Sequence, residues 1–215
     1  MSESSLASGN SISSILADAR KQARPTLSFE FYPFRDEASS HELWNTFDAV
    51  LEAGADFASL TYGAGGSSRE KSFAVLERLA PQIATIGHLT AVGASEAGTT
   101  STIHRFEDLG VASILALRGD PPKNDPTALE RGELTTALEL LEVTARESNL
   151  ESGVAAFPEK HPESPTLAHD CQLLRKKELA GAKYAITQLF FSVAAYRELL
   201  DTARRMVLNL KSFQA

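Results

Sequence analysis

The chain has 215 residues, 43% of them hydrophobic, and a formal net charge of −7 from 21 Lys+Arg against 28 Asp+Glu. That composition suits a globular protein of one domain, or one domain with an extension, and argues against a nucleic-acid partner, which needs a basic face. The lone cysteine, Cys171, excludes an internal disulfide, and no apolar run approaches the ~18 residues of a membrane span.

The first ten residues are Ser-rich with an early acid and lack the basic and apolar regions of a secretory signal. The chain therefore reads as a cytoplasmic protein with a loose leader. A short amphipathic stretch follows from Ile12 to Gln22, with Ile12, Ile15 and Leu16 on one side, and Pro25 introduces the first strand. After it, strand and helix patterns alternate. The first strand is Ser28-Phe29-Glu30-Phe31-Tyr32-Pro33, and a helix over Ser40–Ala53 carries Leu43, Phe47, Val50 and Leu51.

The second strand ends at Ser59-Leu60-Thr61-Tyr62-Gly63, and Ser67-Ser68-Arg69-Glu70 opens the next helix in a capping-box pattern. The third strand holds Gly87-His88-Leu89-Thr90; its helix begins near Ser95. The fourth ends in Leu117-Arg118-Gly119-Asp120, and one helix is predicted from Leu129 to Glu147, striped by Leu134, Leu138 and Leu141. The fifth ends in Ala156-Phe157-Pro158-Glu159, with Pro165 as first residue of its helix. The sixth ends in Ile186-Thr187-Gln188, and the last helix starts near Val193. Gly54, Gly110 and Gly181 each stand where a helix needs a left-handed C-terminal cap before the next strand.

Strands alternating with helices imply a parallel sheet with right-handed crossovers. A doubly wound nucleotide-binding sheet would carry a Gly-rich turn after its first strand, and Glu30-Phe31-Tyr32-Pro33 has no glycine. Polar groups recur instead at every strand end, the way a (β/α) barrel builds an active site. Strand alternation places Ser28, Glu30 and Tyr32 on one face and the phenylalanines on the outer, helix-facing side. The same logic sends Leu115 and Leu117 toward the helices and Arg118 and Asp120 inward.

Glu30 is the sharpest candidate: a carboxyl flanked by phenylalanines should resist ionisation and could act as a general acid. The alternative is a structural glutamate paired with Arg118. Arg118-Gly119-Asp120 offers either a ligand-facing carboxylate or a strand-end ion pair. Gly63-Ala64-Gly65-Gly66-Ser67-Ser68 could bind phosphate at a helix start or be a plain loop. His88 reads as a core histidine or a ligand group, and His161 lies on a loop. No metal-ligand spacing and no obvious nucleophile are present, which points to chemistry carried by a cofactor.

Six segments in register closely resemble the bacterial-type 5,10-methylenetetrahydrofolate reductase family. They are Ser28–Pro33, Leu60–Gly66, His88–Thr90, Ala116–Pro122, Pro158–Pro162 and Ala185–Phe191, and the resemblance covers about Leu27 to Phe191. It implies an α/β (β/α)8 TIM-type barrel, incomplete here with about six βα units. It also implies non-covalent FAD, which NAD(P)H reduces and which then reduces methylenetetrahydrofolate to 5-methyltetrahydrofolate in one-carbon metabolism, by a ping-pong scheme.

Carried over position by position, Glu30 is implied as the acid that helps open the folate ring and Asp120 as the carboxylate near pterin and flavin. Gln188 is implied as a folate contact and Thr61 as a position near the nicotinamide. Tyr62, Ala64, His88, Arg118, Gly119, Asp120, His161, Ser164, Asp170 and Lys177 match flavin-site positions, and Phe157 stands where some members have tyrosine. The resemblance leaves room for a homo-oligomer.

A full barrel needs about 250 residues and eight strands, and after Arg204 the chain no longer resembles the family. The expected organisation is a leader with a short helix over 1–24, a truncated barrel catalytic domain over 25–204 and a divergent tail over 205–215. Open edges and weak or absent turnover are expected of such a barrel. The rival readings are a non-catalytic fragment that keeps partial flavin binding or joins a longer subunit, and a different barrel enzyme that holds a sugar phosphate on the Gly63–Ser68 loop.

Overall fold

A computed structural model describes residues 11–62, 66–121, 125, 127–206 and 213–214. The chain order is helix α1 (Ile12–Lys21), strand β1 (Ser28–Phe31), α2 (Glu37–Glu52), β2 (Phe57–Leu60), α3 (Gly66–Leu79), β3 (Thr85–Thr90), α4 (Glu96–Asp108) and β4 (Ser113–Leu117). It continues through α5 (Ala128–Arg131), α6 (Ala137–Glu147), β5 (Glu151–Ala156), α7 (Leu167–Leu179), β6 (Tyr184–Thr187), α8 (Val193–Arg205) and β7 (Phe213–Gln214). The strands pair in chain order, all parallel, as one sheet from β1 to β7. This is the incomplete barrel anticipated, curled with helices outside it, plus a two-residue seventh strand that the sequence did not announce.

Local chemistry sets the boundaries. Asp36 caps α2 in a box with Ser39, and Thr136 does the same for α6 with Glu139. Gly54, Gly110 and Gly181 have φ of +77°, +75° and +113°, the left-handed caps expected. The helix predicted over Leu129–Glu147 is broken in two, because Gly132 is extended and Thr136 restarts the next helix. Thr166, not Pro165, precedes α7 as its cap, through a bond accepted from the His169 N–H. Arg24 binds both carboxylate oxygens of Asp56 at 2.9 and 2.7 Å, and Asp56 also accepts the Leu27 N–H at 2.8 Å, so β1 enters the sheet beside β2.

Two apolar layers flank the sheet. The outer one joins Phe31, Leu60, Leu89, Ile114, Ala116 and Val154 to the helices, with Phe31 edge-on to Phe47 at 5.9 Å. Gly87 belongs here: a Cβ would lie 2.7 Å from the Phe106 ring of α4. The inner layer holds Phe57, Ile86, Leu115 and Tyr184 against Ile12 and Leu16 of α1. The predicted orientation of β4 is thus reversed, for Leu115 and Leu117 face the interior and Ile114 and Ala116 face the helices. Both faces of a parallel strand are apolar, so alternation gives no sign, and the lumen needs the bulkier side chain.

Helix α1 closes the N-terminal end of the strands. Its Ser13 N–H donates to Glu151 Oε2 at 2.9 Å, at the first residue of β5. Tyr184 crosses over Gly153, where a Cβ would sit 2.3 Å from its ring, to reach Ser113 Oγ at 2.7 Å. Ser113 spends its own proton on the Glu151 carbonyl at 2.7 Å. The tyrosine hydroxyl must therefore be the donor to Ser113.

Candidate functional site

The polar residues gather at the other end, where the strands finish. Glu30 pairs in register with Ser59 of β2, on the inner face, as expected. It is exposed at the rim, yet desolvation still raises its carboxyl above the ordinary glutamate range, and a hydrogen bond from Tyr32 offsets only part of this. The suggested Glu30–Arg118 pair does not form. Arg118 binds Glu163 instead, Nη1 to Oε2 at 2.5 Å and Nη2 to Oε1 at 3.2 Å, with Asp120 Oδ1 farther off at 3.8 Å. Asp120 itself is 96% exposed.

Strand β3 brings His88 to the inner side in register with Leu115. Burial holds its imidazole neutral, pushing its pKa from 6.5 down to about 4, and it makes no hydrogen bond among the described residues. Gly119 has φ +77°, and a Cβ there would meet Val92 Cγ1 at 2.7 Å. Glycine lets the chain turn tightly against β3, whose ladder runs on through Val92 N–H to the Arg118 carbonyl at 2.9 Å.

The fifth strand and its helix supply a connected set. Phe157 and His161 meet edge to face at 4.7 Å. The Glu163 N–H donates to His161 Nδ1 at 3.2 Å, so a neutral His161 carries its proton on Nε2 and can donate there. Asp170 is buried and accepts the His161 N–H at 2.9 Å and the Ser164 hydroxyl. Lys177 is pushed down by burial, with Asp170 opposing that shift.

Other candidates stand apart. The Thr61 N–H donates to the Phe31 carbonyl at 3.0 Å, which ties it to β1. The Tyr62 ring turns outward between Phe73 and Phe106, with its hydroxyl 3.3 Å from Thr102 Oγ1. Any contact from Tyr62 into the barrel mouth falls to its backbone. Beside it lies a small cavity reaching Thr90, Ser95 and Thr99, and the Thr99 hydroxyl is buried without a partner among the described residues. Gln188 is exposed, its N–H fixed on the Ala156 carbonyl at 2.8 Å. Ala64 and the Gly63–Gly65 turn of the suggested phosphate loop lie outside the described residues.

Sequence reasoning missed Glu163 and Tyr32 as partners. Glu163 follows the Pro158–Pro162 segment directly, but its pairing with Arg118, 45 residues away, is made only by the fold. Among the described residues no three His, Cys, Asp or Glu side chains cluster to hold a metal ion, and no helix is long and apolar enough to cross a membrane.

Known proteins give this geometry its context. The fold is similar to a solved structure from Aquifex aeolicus, with a TM-score of 0.58 and 14% identity over 90% of this chain and 76% of that one. The 5,10-methylenetetrahydrofolate reductase of Buchnera aphidicola from Acyrthosiphon pisum is 31% identical over 185 residues, 85% of this chain and 62% of the relative. That of Escherichia coli K12 is 32% identical over 186 residues, 85% of this chain and 61% of the relative. The chain thus spans about three fifths of the length of these relatives. The family model for methylenetetrahydrofolate reductase matches residues 15–213, and the chain belongs to that family.

Proposed function

We propose that this chain forms the strand-end site of an FAD-dependent methylenetetrahydrofolate reductase that draws on NAD(P)H in the cytoplasm. The observation that carries this reading is Glu30, a carboxyl made reluctant to ionise at the inner rim of β1, within a chain of this family. A carboxyl whose pKa is raised by desolvation is better placed to give a proton to a ring nitrogen of the folate, and Asp120 offers a solvated negative charge for the cation that ring opening leaves.

The residues fit a flavin dinucleotide. His88 is a buried neutral imidazole with no partner among the described residues, His161 presents Nε2–H, and Arg118 is a partly exposed cation. When bound, FAD would supply hydride chemistry that no side chain here can. Around it, His88 and His161 would offer hydrogen bonds, Asp170 would hold the His161 loop through backbone and Ser164, and Gln188 would face the folate.

Two half-reactions test the proposal. Glu30→Gln should leave anaerobic bleaching of the flavin band by NADH or NADPH intact while folate reduction drops at least ~100-fold. Survival of both half-reactions removes Glu30 as the acid.

A second reading has its own support. Among the described residues β1 pairs only with β2, and Asp120 and Gln188 are open to water. A chain that holds flavin but turns over no folate would match that exposure. A flavin band that bleaches, with no 5-methyltetrahydrofolate formed, would select it.

A further inference from the structure

Lys160, Lys177 and Arg118 are cations on the loops and helix that follow β4 and β5. Lys160 gives its Nζ to the carbonyls of His161 and Ser164, at 3.0 and 2.5 Å. Lys177 is half-buried and interacts with Asp170. Arg118 alone of the three presents a guanidinium edge toward solvent, and a carboxylate already sits on it. Glu163 grips that edge with both oxygens and is itself 64% exposed.

The two-pronged geometry that accepts a carboxylate is the one that accepts a phosphate. An exposed pair of this kind is weak, because both groups regain water when they part. Opening it requires only rotation of the Glu163 side chain. The backbone contact from Glu163 N–H to His161 Nδ1 can stay in place, so the loop need not move. Asp120, at 3.8 Å, adds a second negative charge near the same guanidinium, but full exposure screens it.

We propose that Glu163 is an internal competitor for the anion-binding edge of Arg118, displaced when the pyrophosphate of a dinucleotide binds. Naming that anion rests on the flavin reading above. Glu163 then sets affinity and selectivity: it weakens every phosphate-bearing ligand at this seat and leaves an uncharged flavin unaffected. The ion pair also keeps Arg118 from attracting stray anions while the seat is empty.

The test uses the whole chain and three probes: inorganic pyrophosphate by calorimetry, and FAD and riboflavin by flavin fluorescence. Glu163→Gln should tighten pyrophosphate and FAD by about three- to tenfold at low salt, with the gain fading at high salt and riboflavin unchanged. Arg118→Gln should weaken pyrophosphate and FAD and remove the effect of the Glu163 change. Unchanged or weaker pyrophosphate binding by Glu163→Gln overturns the proposal, the weaker outcome making Glu163 a positioning clamp. Absence of pyrophosphate binding in every form also overturns it. If pyrophosphate tightens as stated but no form binds FAD, the competitor stands and the flavin reading fails.

Discussion

The two ends of the sheet solve opposite problems with similar side chains. At the closed end, Tyr184, Ser113 and Glu151 are joined in one hydrogen-bonded chain under a lid of Ile12 and Leu16. At the open end, His88 is also buried but has no partner among the described residues, Glu30 relies on an exposed tyrosine, and Asp120 stands in water. Satisfied polar groups on an apolar plug give stability. Groups left short of partners hold their binding capacity for a ligand, at a cost in stability. The contrast teaches that one parallel sheet can separate these tasks along its strand axis.

The plug is where the contrast breaks most easily. Ile12→Ala removes a fully buried side chain between α1 and the inner strands, and should cost about 2–5 kcal/mol in urea unfolding. A cost under ~0.5 kcal/mol would mean that α1 is not needed to close the barrel.

The open end should reveal itself through pH. His88 is neutral in the folded protein down to about pH 4, whereas an unfolded histidine takes its proton near 6.5. Between these values the unfolded chain binds more protons, so stability falls as pH drops from 6.5 toward 4 and is flat for this group above 6.5. The full loss is at most about 3 kcal/mol. Denaturant titrations across that window check it, and His88→Gln should flatten this part of the slope; an unaltered slope would place the titration elsewhere.

The smallest expected effect sharpens the closed end. Tyr184→Phe removes the donor to Ser113, while Ser113 keeps its bond to the Glu151 carbonyl. The cost should be about 1 kcal/mol, or roughly 2–4 °C in melting temperature. No change would mean that the bond from Tyr184 to Ser113 adds nothing to stability.

Much of this division was legible in the sequence, for reasons that differ by residue. The glycine caps follow from backbone sterics alone, and they came out as read. The inward placement of Glu30 followed from alternation, because phenylalanine and glutamate differ so much in polarity. Alternation failed at Leu115 and Leu117, where both faces are apolar and only the curl of the sheet decides which side is the lumen. The split before α6 was readable in Thr136 and Glu139, a capping box that the leucine spacing obscured. The Arg118–Glu163 pair was not fixed by local pattern, since it joins two loops that meet only once β4 and β5 lie side by side. The roles of Glu30, Asp120 and Gln188 toward folate rest on family likeness, because their geometry constrains what each can donate or accept without naming the ligand.

The sheet order follows the chain order without exception, and that bears on how the protein assembles. Each strand finds its partner in the next strand along the chain, after one intervening helix, or two between β4 and β5. Among the described residues each pairing joins strands adjacent in the chain, so each closure spends a similar and modest loop entropy. Parallel sheets are slow to form when their contacts are far apart in sequence. Here the ladder can grow one unit at a time, each new strand docking on an edge its predecessor has already laid down.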